Sequence, residues 1–457
     1  MQKFFGLFVV FCVLCASSSN AKLFEAKSFE LDNGMRVLLI ENHKAPVIKH
    51  MLWYKNGASD DAKGKGGTAH LLEHLMFRGT KRFVEGRLDA LFEKHGAQSN
   101  AFTSYDYTSY HQFADISKLE LLMLLEADRM HNLLIDDKNF AKEREIVYQE
   151  RRQQIESNPV SAFMEKMREK LWAEHPYSRP VIGSADEIKS LTKQDVEEYY
   201  ARFYTPENAI LVLSGDLDLP TAKTLAEKYY GKLEKRSGFV PAPAYEFSAE
   251  QTKQSFVFYD KKVKTPRIVQ MFVVPSYNQN PKEALALEIL AEYLGADKLS
   301  PVYKDLVEKR KIMAGISVSN GFSARGYDQL YIAGYPQNNV NAQKAVDELS
   351  VSVKNAINLI DEKNIAAAKK RILANLAFVK DNPSDAAYAA GAMAAGGMSL
   401  EDINSYDENI NNVKLEYVKS TALKLIDFYP QIVGVIMPEK SDETLPDEAA
   451  AKEGEND

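Results

Sequence analysis

A chain of 457 residues exceeds one ordinary domain of about 100–200 residues, so two or three folded units are expected. Hydrophobic residues make up 45% and charged residues 26%, which excludes a disordered chain or a fibre and leaves material for a sizeable core. With 57 basic against 64 acidic residues the net charge is −7, which argues against nucleic acid or an anionic lipid surface as the main partner.

Residues 1–21 read as a signal peptide. Lys3 gives a basic start, and Phe4 to Leu14 (FFGLFVVFCVL) is apolar but shorter than the ~18 residues that span a bilayer. Ser19-x-Ala21 then offers a small-residue cleavage site. Leu14 stands where lipoprotein processing prefers a small residue, which argues against a lipid anchor on Cys15. The expectation is a periplasmic or secreted protein with no stable membrane anchor. Both cysteines, Cys12 and Cys15, fall in this segment, so the mature chain would have no disulfide, no thiolate nucleophile and no Cys-held metal.

The first half, 22–237, reads as mixed α and β. Arg36 to Glu41 and Val47 to Tyr54 have strand composition, and Thr68 to Arg78 and Arg87 to His95 read as helices closed by Gly79 and Gly96. Ala97 to Ala114 looks like a hairpin, and helices are predicted near 117–134, 137–156 and 160–174. Another helix starts at the N-cap residue Thr192, and a strand covers Ala209 to Ser214. Residues 238–250 (GFVPAPAYEFSAE) read as a linker. The order then recurs over 251–437: two strands near 254–260 and 267–275, helices at Pro281 to Leu294 and near 299–310, and strands near 314–320 and 328–336. Long helices and a last strand, Gln431 to Met437, complete it. The recurrence predicts a duplicated α+β unit. The acidic segment 438–457 reads as a disordered tail. The small residues of Ala386 to Gly397 point to tight helix packing rather than a hinge.

The segment with chemistry is His70-Leu71-Leu72-Glu73-His74. On a helix, residues four apart share a face, so the two imidazoles can converge on one ion with the Glu73 carboxylate beside it. Imidazole suits Zn²⁺, and a catalytic zinc takes three protein ligands and leaves a position for water. Two surface or core histidines next to a solvated glutamate would give the same letters, so a third ligand has to be found. The charged helix Phe140 to Glu156 is the best source, with Glu143 and Glu150 seven residues apart on one face, although such a stretch is also what a solvated, ion-paired helix looks like. His43, His50, His95, His111, His131 and His175 lack a partner at helical spacing and read as surface or capping residues.

His70 to His74, followed by Leu75-Met76-Phe77-Arg78-Gly79-Thr80 and preceded by Gly66-Gly67-Thr68-Ala69, resembles the signature of the pitrilysin-type (M16) inverted zinc peptidases, short bacterial members above all. The resemblance spans roughly 30–436 and includes Asn100-Ala101-Phe102-Thr103, His175-Pro176-Tyr177 and Tyr204-Thr205-Pro206-Glu207-Asn208. It implies two related domains, each a mostly antiparallel sheet flanked by helices, forming one half of a clamshell chamber. It also implies that Glu150 joins His70 and His74 around one Zn²⁺ per chain, that Glu73 is the catalytic base, and that Glu143 assists proton transfer or supports the site. Asn100 and Ala101 would bind peptide substrates at an edge strand. The family also carries an Arg and a Tyr in its second half that stabilise the oxyanion. Here Val307 and Ala314 or Gly315 stand in their places, leaving a partner chain, or nearby Arg310, Arg325 or Tyr327, to substitute. At this length the chain supplies one half of a chamber, which implies a homo-dimer or a hetero-dimer with a related chain. The function read from these residues is a zinc-dependent endopeptidase. The alternative is a non-catalytic or weakly active scaffold or assembly subunit of the same fold.

Overall fold

The computed structural model describes residues 24–439 apart from 85, 237–238, 248–252, 296, 323 and 339. The signal-peptide reading, part of the linker and nearly all of the tail fall outside these residues. Two sheets organise the fold. In the first half the strands are β1 Lys27–Glu30, β2 Arg36–Glu41, β3 Val47–Tyr54, β4 Gln98–Thr103, β5 Thr108–Asp115 and β6 Ala209–Gly215, ordered β1-β2-β6-β3-β5-β4. In the second half they are β7 Lys253–Asp260, β8 Arg267–Pro275, β9 Met313–Asn320, β10 Tyr327–Pro336 and β11 Gln431–Pro438, ordered β7-β11-β8-β10-β9. Both sheets have one parallel pair, β2 with β6 and β7 with β11, and are antiparallel elsewhere. Taken in chain order, β7 to β11 occupy the places of β2 to β6, so the second sheet repeats the first without β1. The chain is α+β and internally duplicated, as its pattern of elements predicts.

The helices of the first half are α1 Thr68–Met76, α2 Arg87–Lys94, α3 Leu119–Asn132, α4 Asp137–Arg151, α5 Pro159–Trp172, α6 Ala185–Ser190, α7 Lys193–Phe203 and α8 Leu219–Tyr229. Those of the second are α9 Pro281–Gly295, α10 Pro301–Tyr303, α11 Ala342–Asn358, α12 Glu362–Asp381, α13 Pro383–Ala395, α14 Leu400–Asn404, α15 Tyr406–Asn412 and α16 Leu415–Asp427. Sequence composition gives no warning of β1, α6 or α8. The helix expected near 299–310 is only the short α10 run into a π-turn at Lys304–Lys309, and Pro438 closes β11 rather than opening the tail.

Strands β3 (VIKHMLWY) and β6 (AILVLSG) are almost wholly buried; the apolar run of β6 is what a strand covered on both faces requires, and β3 is apolar apart from Lys49 and His50, which find polar partners. One face, carrying Val37, Leu39, Leu52, Leu211 and Leu213, packs on helices of its own half through Leu71, Leu75, Leu122 and Met123. The other, carrying Leu38, Met51, Trp53, Ile210 and Val212, packs on Ala386, Ala387, Ala390 and Ala394 of α13, which belongs to the second half. The exchange is reciprocal. Phe163, Met167 and Leu171 of α5 cover Val269, Met271, Val273 and Ile432 of the second sheet. No helix among the described residues is long and apolar enough to cross a membrane.

Candidate active site

Helix α1 begins at Gly67, whose φ of 89° is left-handed and whose missing Cβ would lie 2.4 Å from the Ile182 carbonyl oxygen, so only glycine fits. Asp61 accepts from the backbone N–H of Gly67 (2.7 Å) and of Ala69 (2.9 Å), satisfying donors that a helix start leaves open. Burial pushes its carboxyl up to about 8, against the pull of those two N–H groups. Leu71, Leu72 and Leu75 bury one side of the helix in the core, which fixes the other side, with His70, Glu73 and His74, towards α4 and β4.

On that side the ring centroids of His70 and His74 are 4.9 Å apart. Donor atoms of His70, His74 and Glu150 all lie within 4.8 Å of one another, and among the described residues no other His, Cys, Asp or Glu group converges in this way. His74 Nε2 stands 3.3 Å from Glu150 Oε2, and its Nδ1 stands 3.4 Å from Oε2 of Glu143. Glu143 is fully buried and its other oxygen lies 3.0 Å from Arg78 Nε. Glu150 is the next-to-last residue of α4, just before a π-turn over Arg152–Glu156, and Gln154 donates to it at 2.7 Å. Glu73 Oε2 accepts from the Thr103 hydroxyl at 2.5 Å, which ties the carboxylate to the end of β4.

The electrostatics divide these groups. Burial lowers His70 to about 4, so its ring is neutral, and its Nδ1 is buried without a hydrogen-bond partner. Burial also opposes charge on His74, but the Glu143 and Glu150 carboxylates at its two nitrogens outweigh it and raise the ring to about 9. Glu150 is held low by the hydrogen bond to His74. Burial raises Glu73, with the Thr103 hydroxyl pulling the other way. Two imidazoles, one of them with a buried ring nitrogen left without a partner, and a carboxylate make a donor set that fits a zinc ion, which would compete with the proton on His74.

His70, His74 and Glu150 meet; Glu73 lies beside them; Glu143 touches His74 rather than open space, which favours the supporting role. Asn100 and Ala101 lie on β4, which with β1 is one of the two edge strands of the six-stranded sheet. The proposed substitutes for the oxyanion pair fare differently. Arg310 is held by Asp305 (2.8 Å) and Glu348 (2.5 Å), and Arg325 by Asp60 (2.8 Å) and Asp106 (3.2 Å), so both arginines are committed to structural ion pairs. Tyr327 opens β10 and borders a cavity with Tyr177 and Asp328. His50 corrects another expectation: it is neither surface nor cap but fully buried, with Gln112 and Tyr230 each at 2.8 Å. His175 does cap, accepting from Tyr177 N–H at 3.1 Å.

Comparison with known proteins finds matches over most of the chain. Residues 36–185 match the model described as "Insulinase (Peptidase family M16)" and residues 190–372 the one described as "Peptidase M16 inactive domain". The chain belongs to the M16 peptidase family. M16 relatives include the zinc protease PqqE of Helicobacter pylori, 28% identical over 68% of this chain and 71% of that one. An uncharacterized zinc protease of Mycobacterium tuberculosis is 24% identical over 93% and 96%. Among solved structures, a Helicobacter pylori protease covers 91% of this chain and 100% of its own at 23% identity with a TM-score of 0.83. The periplasmic protease PqqL of Escherichia coli covers 90% of this chain with only 47% of its own, at 17% identity and a TM-score of 0.75. These structural likenesses speak for the M16 fold.

Sequence reasoning missed three supports of the site. Arg78 stands four residues beyond His74, but α1, expected to reach it, ends at Met76, and Arg78 meets Glu143 from the turn that follows. Thr103 and Asp61 carry no local signal, because their partners are brought to them by the sheet and by the turn before α1.

Proposed function

We propose that this chain is an exported zinc-dependent endopeptidase that hydrolyses peptides or small unfolded proteins. The observation that carries the reading is the convergence of His70, His74 and Glu150 with the Glu73 carboxylate alongside. One zinc ion per chain, held by those three residues, would supply Lewis acidity and bring the pKa of a water towards 7. Glu73 then acts as the base: its burial raises its proton affinity towards that of the water it must deprotonate, and the Thr103 hydroxyl fixes its direction. The same carboxyl can return the proton to the leaving amine. Glu143 orients His74 and is itself held by Arg78. A substrate segment would pair with the free edge of β4 at Asn100 and Ala101, where main-chain hydrogen bonds give affinity with little sequence preference.

A related M16 chain, either a second copy or a different partner, would close the chamber. That PqqL is about twice the matched length supports such a pairing, and so does the commitment of Arg310 and Arg325 to other ion pairs. The same two observations, with Val307 and Ala314 or Gly315 in the oxyanion positions, favour the second reading, a weakly active or scaffold subunit. Glu73→Gln decides between them. We expect the wild type to cleave unstructured peptides and lose activity to chelators, and the variant to fall by about 10³-fold or more while retaining zinc near one per chain. A wild-type chain that holds zinc and cleaves nothing, alone or with a co-purifying relative, would favour the scaffold.

A further inference from the structure

The β4–β5 turn, Ser104 to Tyr107, meets the β9–β10 turn, its counterpart in the second half. They are not packed solid: a cavity of about 210 Å³ lies between them, lined by Tyr105, Asp106, Tyr177, Phe322, Tyr327 and Asp328. What spans the gap is polar. The Arg325 guanidinium donates to Asp60 Oδ2 (2.8 Å), Ser59 Oγ (2.7 Å) and Asp106 Oδ1 (3.2 Å), and its backbone N–H donates to Asp106 Oδ2 (2.9 Å). The side chains of Arg325, Asp60 and Asp106 are 11%, 2% and 3% exposed. From the first half, Ala58 N–H and Ser59 N–H donate to the carbonyls of Ser104 (3.0 Å) and Tyr105 (2.9 Å), and Tyr177 Oη donates to Asp106 (2.5 Å). One cation therefore balances two buried carboxylates. One carboxylate sits on the turn that ends the peptide-binding edge, and the other on the 3₁₀ turn Ala58–Asp60 that leads into α1.

We propose that Arg325 is a positioning residue for peptide binding: the second half of the chain, through this one guanidinium, clamps the β4–β5 turn and so fixes the free edge of β4. An edge strand is held by a neighbour on one side only, so its course depends on the turn at its end. Without Arg325, two carboxylates are buried without a cation, and the turn opens to solvate them. The strand that should receive substrate then loses its preorganised line. The inference rests on the proposed function for two things, that the ligand is an extended peptide and that it pairs with the edge of β4.

The test measures binding without turnover. A fluorescein-labelled unstructured peptide is titrated onto zinc-loaded Glu73→Gln protein, with and without Arg325→Met. The second change should weaken Kd about tenfold at unchanged zinc content, and Arg325→Lys, which restores the charge, should recover a good part of that loss. Hydrogen exchange of amides 98–103 should quicken by a similar factor in Arg325→Met. A Kd within about twofold in folded Arg325→Met protein, with exchange unaltered, overturns the proposal. Should that variant not fold, Asp106→Asn replaces it, with a smaller loss of affinity expected and no loss overturning. The two readings fail separately. Absence of cleavage by the wild type, with the Kd and exchange shifts present, sinks the peptidase and leaves the clamp standing. Normal cleavage with neither shift sinks the clamp alone.

Discussion

Eight histidines are spread along this chain, and what distinguishes His70 and His74 is what faces them. His74 looks at two carboxylates, His111 at the Lys49 ammonium 2.8 Å away, and His43 at Asp216 on the surface. His50 sits between an amide and a phenol, and burial lowers it to about 4. That shift has a sign that can be checked. Between the unfolded value of about 6.5 and the folded value of about 4, the unfolded chain binds a proton that the folded chain does not. Stability contributed by the neutral ring is complete above about 6.5 and is lost as pH falls through this window, by up to about 1.4 kcal/mol per pH unit. Urea unfolding of His50→Gln at several pH values should show a shallower acid slope than the parent over that range. Equal slopes would remove His50 from the acid response.

At the scale of elements, the short-range pattern works well and its limits are physical. Helix α1 was legible because His70, Glu73, His74 and the leucines repeat with helical period and Gly67 punctuates the start. Helix α13 is the opposite case: its sequence, rich in Ala and Gly, shows that something packs closely without showing what. The structure supplies Trp53 of β3, whose ring atoms would lie 2.3 Å from a Cβ at Gly391. Gly391→Ala makes two effects compete. Helix propensity favours alanine by about 1 kcal/mol. Overpacking against a fully buried indole costs about 1–3 kcal/mol, and with so short a contact the upper end applies. The net expectation is a loss of about 2 kcal/mol, read as a lower urea midpoint at unchanged slope. A raised midpoint would mean that Trp53 can move aside.

At the scale of the whole molecule, the two halves share their cores. Helix α13 closes a face of the first sheet, α5 closes a face of the second, and Asn404 of the second half pairs its side chain with both the N–H (2.8 Å) and the carbonyl (2.9 Å) of Ala26. The residue ranges 22–237 and 251–437, read from the sequence as domains, should therefore not behave as independent folding units. Expressed alone, each would expose an apolar sheet face larger than a soluble monomer tolerates, bind hydrophobic dyes and aggregate. Co-expressed, they should associate into a soluble complex that holds zinc. A first half that is monomeric by sedimentation and unfolds cooperatively by itself would contradict the shared core.

The sequence by itself determined what depends on neighbours within a few residues: which segments become strands and helices, that the order of elements occurs twice, and that two imidazoles and a carboxylate share one face of α1. Periodicity and capping carry that information because they act over one or two helical turns. Only the tertiary structure decided the rest. It brought Glu150 to His74, set Thr103 on Glu73 and Glu143 behind His74, put β4 at an open edge, and spent Arg325 on Asp60 and Asp106 instead of leaving it for an oxyanion. Those contacts join residues tens to hundreds of positions apart, and their partners are selected by the burial of whole sheet faces, a quantity that no local window contains.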